Sequence, residues 1–282
     1  MRDKIRLIAV DMDGTLLGSD GHISERNAYV ISCIQNEGME FLVCTGRSYE
    51  DAVRPLREKK LRSPIVCMNG ACTYDNAGHL LEEVTFSREQ VEAIMDCCEP
   101  LGVIFDFMTD RGSYSISSEE VFQRSYEQGI LLPMAQTGYE AVRERFCLTT
   151  REGLRMEGLR FYKISLLHES RKVLFEAARR VAQIGKIAIA SSHETNLELT
   201  HEDAQKGKAL AAYAQSKGIR LQETMAIGDS ENDRSMFTIG LKYTIAMENA
   251  MESVKKIARI QTRANDEDGV AYAIETLALG RV

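Results

Sequence analysis

No apolar span of about 20 residues occurs in this chain of 282 residues, so no segment reads as a membrane-crossing helix. Blocks of like charge and low-complexity tracts are also missing. The charge balance is acidic, with a formal net charge of −7. A nucleic-acid binder normally shows a basic face, so nucleic acid is not an expected partner. The opening Met-Arg-Asp-Lys-Ile-Arg lacks a signal peptide's apolar stretch, because the run Ile5–Val10 is too short. There is no Cys-x-x-Cys. The seven cysteines (33, 44, 67, 72, 97, 98 and 147) sit mostly in apolar runs and read as reduced thiols. The five histidines (22, 79, 168, 193 and 201) show no ligand spacing and read as surface or loop residues. These absences lead us to expect a cytoplasmic protein with no membrane or nucleic-acid partner.

What is present is enough apolar sequence for a large core, 44% hydrophobic residues, in a length that favours two domains. The run Ile5–Val10, broken only by Arg6, ends in two acids, Asp11 and Asp13, followed by Gly14 and Thr15. A short apolar run bounded by a glycine turn reads as a buried strand of a parallel sheet. Such sheets bind ligands at the carboxyl ends of their strands. Two neighbouring acids oppose each other's ionisation there, and a hard cation that prefers oxygen relieves the conflict.

A turn rich in Gly, Asp and Ser follows at 16–22. Ser24 then offers an N-cap, and Tyr29, Val30, Ile31 and Ile34 give an apolar helical face up to Gly38. Phe41–Cys44 repeats the buried-strand pattern and ends in Thr45, Gly46 and Arg47. Residues 49–60 predict a helix interrupted at Pro55, and Ile65–Met68 a third strand before an Asn69-Gly70 turn. This alternation predicts an α/β fold, a Rossmann-like doubly wound parallel sheet.

The character changes after residue 83. A helix at 88–99 precedes strands at Val103–Phe107, Gly112–Ser118 and Tyr162–Leu167. A helix at 169–183 leads to short strands at Lys186–Ala190 and Asn196–Leu199. Residues 119–150 are ambiguous, with polar helical patches around Pro133 and Gly138. Parallel character returns at Lys206-Gly207-Lys208, which opens a helix. Thr224–Ile227 is a strand ending in Gly228-Asp229-Ser230-Glu231-Asn232-Asp233. A helix at 231–239, a strand at Tyr243–Met247, a helix at 250–258, an edge strand at Ile260–Thr262 and a terminal helix complete the chain. We expect core segments at 1–83 and 195–282 around an inserted α+β domain at 84–194.

Four segments thus end on one edge: Asp-Met-Asp-Gly-Thr-Leu, Thr-Gly-Arg, Lys-Gly-Lys-Ala-Leu and Gly-Asp-Ser-Glu-Asn-Asp. In this order they resemble the four motifs of the haloacid-dehalogenase-like (HAD) phosphohydrolases. The match is to the Cof-type branch (type IIB), whose C2-type cap lies between the second and third motifs. Asn69-Gly70-Ala71, Asn249-Ala250 and residues 265–270 match as well. The resemblance covers the inferred core, and the insertion matches in length and general pattern alone.

The resemblance implies a magnesium-dependent phosphatase acting on small phosphorylated metabolites through an aspartyl-phosphate. Sugar phosphates lead that class, which also includes FMN and pyridoxal phosphate. Phosphate monoesters hydrolyse very slowly unaided, and a carboxylate nucleophile divides the reaction into two easier steps. The resemblance makes Asp11 that nucleophile. It makes Asp13 the general acid for the leaving alcohol and then the base for water. Such an acid needs a raised pKa, which closure of a water-excluding cap would supply. Magnesium would take the Asp11 and Asp229 carboxylates and the Asp13 backbone carbonyl. Asp233 would stand behind them, orienting a metal water or Lys206. Thr45, Gly46 and Lys206 would hold phosphoryl oxygens, and Asn232 would donate to phosphate. Arg47, near the site, is counted with these substrate- and phosphate-binding residues. Lys208 competes with Lys206, and the motif favours Lys206. In the insertion, Phe105, Phe107 and Met108 read as core, and Asp110, Arg111 and Arg160 as solvated surface. Two alternatives stay open: a phosphosugar mutase of similar fold, and a catalytically silent phosphate-binding regulator. The intact set Asp11, Asp13, Lys206 and Asp229 disfavours the regulator.

Overall fold

The computed structural model describes residues 4–131, 138–155, 158–191 and 193–281. The chain divides into two compact units. The first joins the two ends of the sequence, up to Glu83 and from Ala204 onward, and the second is Val84–Asp203. In the first unit, β1 (Leu7–Val10) leads through α1 (Glu25–Asn36) to β2 (Glu40–Cys44), then through α2 (Tyr49–Glu58) to β3 (Ile65–Cys67). An antiparallel pair, β4 (Cys72–Tyr74) and β5 (Leu80–Glu83), follows. The second unit contains α3 (Arg88–Cys98), β6 (Ile104–Thr109), β7 (Gly112–Ser115), α4 (Glu119–Glu127), α5 (Tyr139–Arg143) and β8 (Phe146–Leu148). It continues with α6 (Arg151–Leu154), β9 (Phe161–Leu167), α7 (Arg171–Val181), β10 (Ile187–Ala190) and β11 (Asn196–His201). The first unit then resumes with α8 (Lys206–Ser216), β12 (Thr224–Gly228), α9 (Arg234–Phe237), β13 (Tyr243–Ala246), α10 (Glu252–Lys255), β14 (Ile260–Gln261) and α11 (Gly269–Ile274).

The strands of the first unit form one sheet in the order β14-β13-β12-β1-β2-β3-β4-β5. The chain walks from β1 to β3 in one direction and later from β12 to β14 in the other. Right-handed crossovers in opposite directions put their helices on opposite faces. A sheet covered on both faces needs apolar strands throughout, and every residue of β1 and β12 is buried. The walk reverses between β1 and β12, which are parallel neighbours from Leu7↔Thr224 to Val10↔Ile227. That reversal opens the crevice in which sheets of this kind hold ligands. Local chemistry starts the first two helices, because the Ser24 and Ser48 hydroxyls accept from the Asn27 and Asp51 amides.

The second unit is built on a mixed sheet, β10-β11-β9-β6-β7-β8, antiparallel except between β7 and β8. One face packs Phe105, Phe107, Ile164, Leu166, Leu197 and Leu199 with residues of α3 and α7. The Phe105 and Phe107 rings stack with centroids 5.2 Å apart. A second apolar cluster gathers Ile104 and Leu167 with Phe122 of α4, Val142 of α5 and Phe146.

Several details differ from the expectations. Pro55 does not interrupt α2, which runs through it. The burial of Ala52, Pro55 and Leu56 on one face outweighs the single hydrogen bond the ring removes. The hairpin β4–β5 was not foreseen. Its short strands alternate weakly, and its turn is held by Asp75 Oδ1, which accepts from the Ala77 and His79 amides. The ambiguous stretch holds α4, α5 and β8, while its part around Pro133 lies outside the described residues. The second unit extends to Asp203 rather than 194, because β11 pairs with both β10 and β9. The expected helices at 231–239 and 250–258 shorten to α9 and α10. All seven cysteines are free thiols, and His22, His79 and His193 are exposed. Among the described residues, no helix is long and apolar enough to cross a membrane.

Candidate active site

After Val10 the backbone folds back in one tight turn. The Leu16 amide donates to the Asp11 carbonyl at 3.2 Å and the Leu17 amide to the Met12 carbonyl at 2.9 Å. Gly14 sits in this turn at φ 75°, and a Cβ there would lie 2.6 Å from Asp229 Oδ2. Glycine is therefore required twice, for the left-handed backbone and for the close approach. The next residue completes the seat: Thr15 Oγ1 donates to Asp229 Oδ1 at 2.8 Å. The Gly-Thr after the two acids thus receives the third acid from the end of β12. Two asparagines clamp the turn from loops beyond β13 and β14. Asn249 Nδ2 donates to the Gly14 carbonyl at 2.8 Å, and Asn265 Nδ2 to the Leu17 carbonyl at 2.9 Å.

Lys206 is the first residue of α8 and is fully buried. Its ammonium donates to Asp11 Oδ1 at 2.5 Å and to Asp233 Oδ1 at 2.8 Å. The other oxygen of Asp233 accepts from the Asp229 and Ser230 amides at 2.9 and 3.0 Å. Close backbone packing places the lysine. A Cβ on Gly207 would lie 2.1 Å from the Ser235 carbonyl oxygen, so α8 presses directly on α9. Gly70, at φ 106°, would put a Cβ 2.4 Å from the Gln205 backbone, so the turn after β3 abuts the residue before Lys206. Lys208, the competing lysine, is exposed.

One ammonium here serves three acids. Burial pushes the Asp11 carboxyl well above its ordinary value, and the charges of Asp233 and Asp229 push the same way against Lys206. Asp229 is pushed up to about 6, again by burial first and Asp233 second, with the Thr15 hydroxyl opposing. Burial works against the charge on Lys206, but Asp11 and Asp233 outweigh it and hold the ammonium above its ordinary value. Among the described residues, Asp11, Asp229 and Asp233 offer ligand oxygens that all lie within 4.8 Å of one another. An all-oxygen set with more negative charge than Lys206 can offset fits a hard divalent cation.

The remaining expected residues lie beside this cluster. The Thr45 hydroxyl, at the end of β2, accepts from the Arg47 amide at 3.1 Å, and Gly46 lies between them. The Arg47 guanidinium grips Asp13 with both arms, Nε to Oδ2 at 2.8 Å and Nη2 to Oδ1 at 2.6 Å. Asn232 Nδ2 donates to Asn69 Oδ1 at 3.1 Å, and its Oδ1 accepts from Ser230 at 2.7 Å. The structure therefore joins Asp11, Lys206, Asp229 and Asp233 directly, and pairs Asp13 with Arg47. Asn232, read as a phosphate donor, gives its described amide hydrogen bond to Asn69. Sequence reasoning missed the parts played by Thr15, Asn69 and Asn249. Their signal was present, since each stands in or beside a matching motif, but their partners are distant in the chain.

Comparison with known proteins finds similar sequences and folds. The model of the haloacid dehalogenase-like hydrolase family matches residues 8–274. The phosphatase YwpJ of Bacillus subtilis is 29% identical, with 97% of this chain and 100% of that protein covered. The 5-amino-6-(5-phospho-D-ribitylamino)uracil phosphatase YwtE of the same organism is 30% identical, over 98% of this chain and 99% of its own. A solved haloacid dehalogenase-like hydrolase from B. subtilis superposes with a TM-score of 0.83 at 28% identity, covering 97% of this chain and 100% of that one.

Proposed function

The chain belongs to the haloacid dehalogenase-like hydrolases, a family whose curated relatives here are phosphatases, and on that premise we propose a magnesium-dependent phosphatase of small phosphorylated metabolites, sugar phosphates first among them. The observation that carries this reading is one ammonium, Lys206, set between Asp11 and Asp233 with Asp229 beside them at the point where the strand order reverses. The substrate range draws support from the relative named for a phosphoribitylamino compound.

Asp11 is the nucleophile. Its carboxylate oxygen attacks phosphorus, the bond to the ester oxygen breaks, and an aspartyl-phosphate forms. The leaving alcohol takes its proton from Asp13. Asp13 then accepts a proton from water as that water attacks the aspartyl-phosphate, releasing phosphate and restoring Asp11. Asp13 cannot play this part while Arg47 holds both of its oxygens, so proton transfer requires this pair to open. Thr45, Gly46 and Lys206 hold the phosphoryl oxygens as charge shifts in the transition state. Asp11, Asp229 and the Asp13 carbonyl would hold magnesium, whose charge lets an anionic nucleophile approach an anionic phosphate. Asp233 already has both oxygens occupied, by Lys206 and two backbone amides, and so orients the others rather than binding the ion.

The test is phosphate release from a panel of sugar phosphates, nucleotides and cofactor phosphates, with and without magnesium. Asp11→Asn should lower turnover by at least about 10⁴-fold on every ester cleaved. Full activity in that variant would sink the nucleophile assignment.

A further inference from the structure

The first unit carries a cleft that the proposed chemistry leaves unused. It has a volume of about 530 Å³ and lies between α2, the loop 60–63 and the turn that joins β4 to β5. That loop leads into the amino end of β3, whereas Asp11, Thr45 and Asp229 follow the carboxyl ends of β1, β2 and β12. The loop therefore lies at the opposite edge of the sheet from the candidate active site. The wall of the cleft combines Tyr49, Val53, Leu56 and Leu61 with three cations, Arg57, Lys60 and Arg62, and includes no acid. The three cations are exposed. Arg57 comes within 4.0 Å of Glu50, and among the described residues Lys60 and Arg62 pair with no acid.

Lys60 also stands where glycine is usual. The Lys60 amide donates to the Arg57 carbonyl at 3.0 Å and the Leu61 amide to the Leu56 carbonyl at 2.9 Å, a Schellman turn that ends α2. Its left-handed position favours glycine, which has no Cβ to strain. The same pair of bonds ends α1, α4 and α8, and there the residue is Gly38, Gly129 or Gly218. In α2 it is a lysine at φ 57°. A cation near a helix C-terminus is favourable in itself, but Lys59 already stands at the cap. A strained lysine that lines a cleft points to a use for its side chain.

We propose that this cleft is a second ligand site, for a nucleoside diphosphate whose base packs on the apolar wall and whose phosphates meet Arg57, Lys60 and Arg62. Small organic ligands occupy clefts of roughly 300–1,000 Å³, and this one falls within that range. Inorganic phosphate would leave the apolar wall in water, so a flat apolar ring belongs to the ligand. Three cations without an acid fit a diphosphate better than a single carboxylate. Because these cations are exposed, salt screens their attraction and affinity falls as salt is added. The inference goes beyond the phosphatase reading, since none of these side chains belongs to the proposed catalytic machinery.

The experiment is calorimetric titration of the full chain with ADP and with pyrophosphate, in magnesium-free buffer of low ionic strength. Without the ion, the excess negative charge around Asp11 opposes an anion in the active site. ADP should bind at least ten-fold more tightly than pyrophosphate, and more weakly as salt is added. Lys60→Gly should weaken ADP about three-fold while Tm holds or rises, because glycine suits φ 57°. Adding Arg62→Ser should bring the loss to ten-fold or more. Asp11→Asn should bind ADP as wild type does. Absence of ADP binding, equal affinity for pyrophosphate, or unchanged affinity in the double variant overturns the proposal. An altered affinity in Asp11→Asn places ADP in the active site and overturns it as well. Turnover does not enter the measurement, so its outcome and that of the phosphatase assay are separate.

Discussion

The two sheets of this protein bury charge in opposite ways. In the first unit, each oxygen of Asp233 has a donor and Lys206 bridges Asp11 to Asp233, so polar groups are answered while negative charge remains in excess. In the second unit, acids and cations balance, yet Asp106 Oδ1 has no donor. The first arrangement is short of positive charge and the second of a hydrogen. The contrast shows why counting buried acids alone does not identify a site, because the missing complement carries the chemistry.

The strongest way to break the comparison is Lys206→Met. Removing the partner of two buried carboxylates should cost about 3–5 kcal/mol in urea unfolding without added metal, and magnesium should restore part of it. A loss below about 1 kcal/mol would mean that the acids are not charged there.

Acid titration separates the two sheets next. Asp229 has its folded pKa raised from 3.8 to about 6, so the fold favours its protonated form. Its contribution is complete below pH about 4, is lost as pH rises towards about 6, and stays level beyond, a difference of about 3 kcal/mol. Asp106 is raised over the same window and has the same sign. Magnesium should cancel the loss from Asp229 and leave that from Asp106, while Asp106→Asn should do the converse. Unfolding midpoints at three pH values, with and without magnesium, would show it. Equal flattening of both by magnesium would erase the distinction.

Gly14→Ala tests the seat itself. A Cβ only 2.6 Å from Asp229 Oδ2, on a backbone at φ 75°, should cost about 1–3 kcal/mol and raise the magnesium concentration needed for activity. The smallest effect belongs to Arg47→Ala. Its pair with Asp13 is bidentate but partly exposed, so stability should change by less than about 1 kcal/mol in thermal or urea unfolding. A larger loss would place Arg47 among the groups that hold the first unit's site together.

Much of the first unit is legible because its signals are local. Leu7–Val10 is apolar and ends in acids, Ser24 and Ser48 stand at helix starts, and Asp229 follows another apolar strand. The second unit hides its buried acid in plain alternation. Asp106 lies between Phe105 and Phe107, where the pattern speaks only of a strand with an apolar face. Its partners, Ser165 and Glu198, come from two strands far along the chain. Asn196–His201 carries the same ambiguity, since its alternation suits either unit until β9 and β10 take it.

The sequence by itself determined which chemical groups stand at the strand ends, because a strand's period and the glycine after it are properties of a few adjacent residues. Only the tertiary structure decided which of them meet. Lys206 reaches Asp11 across 195 residues of chain, Thr15 reaches Asp229 across 214, and Arg47 takes Asp13. The first two pairings follow from β12 settling beside β1, where the walk of the strands reverses, and the third from β2 on the other side of β1. Neighbourhood in a sheet is set by crossovers and packing, and no short stretch of residues encodes it.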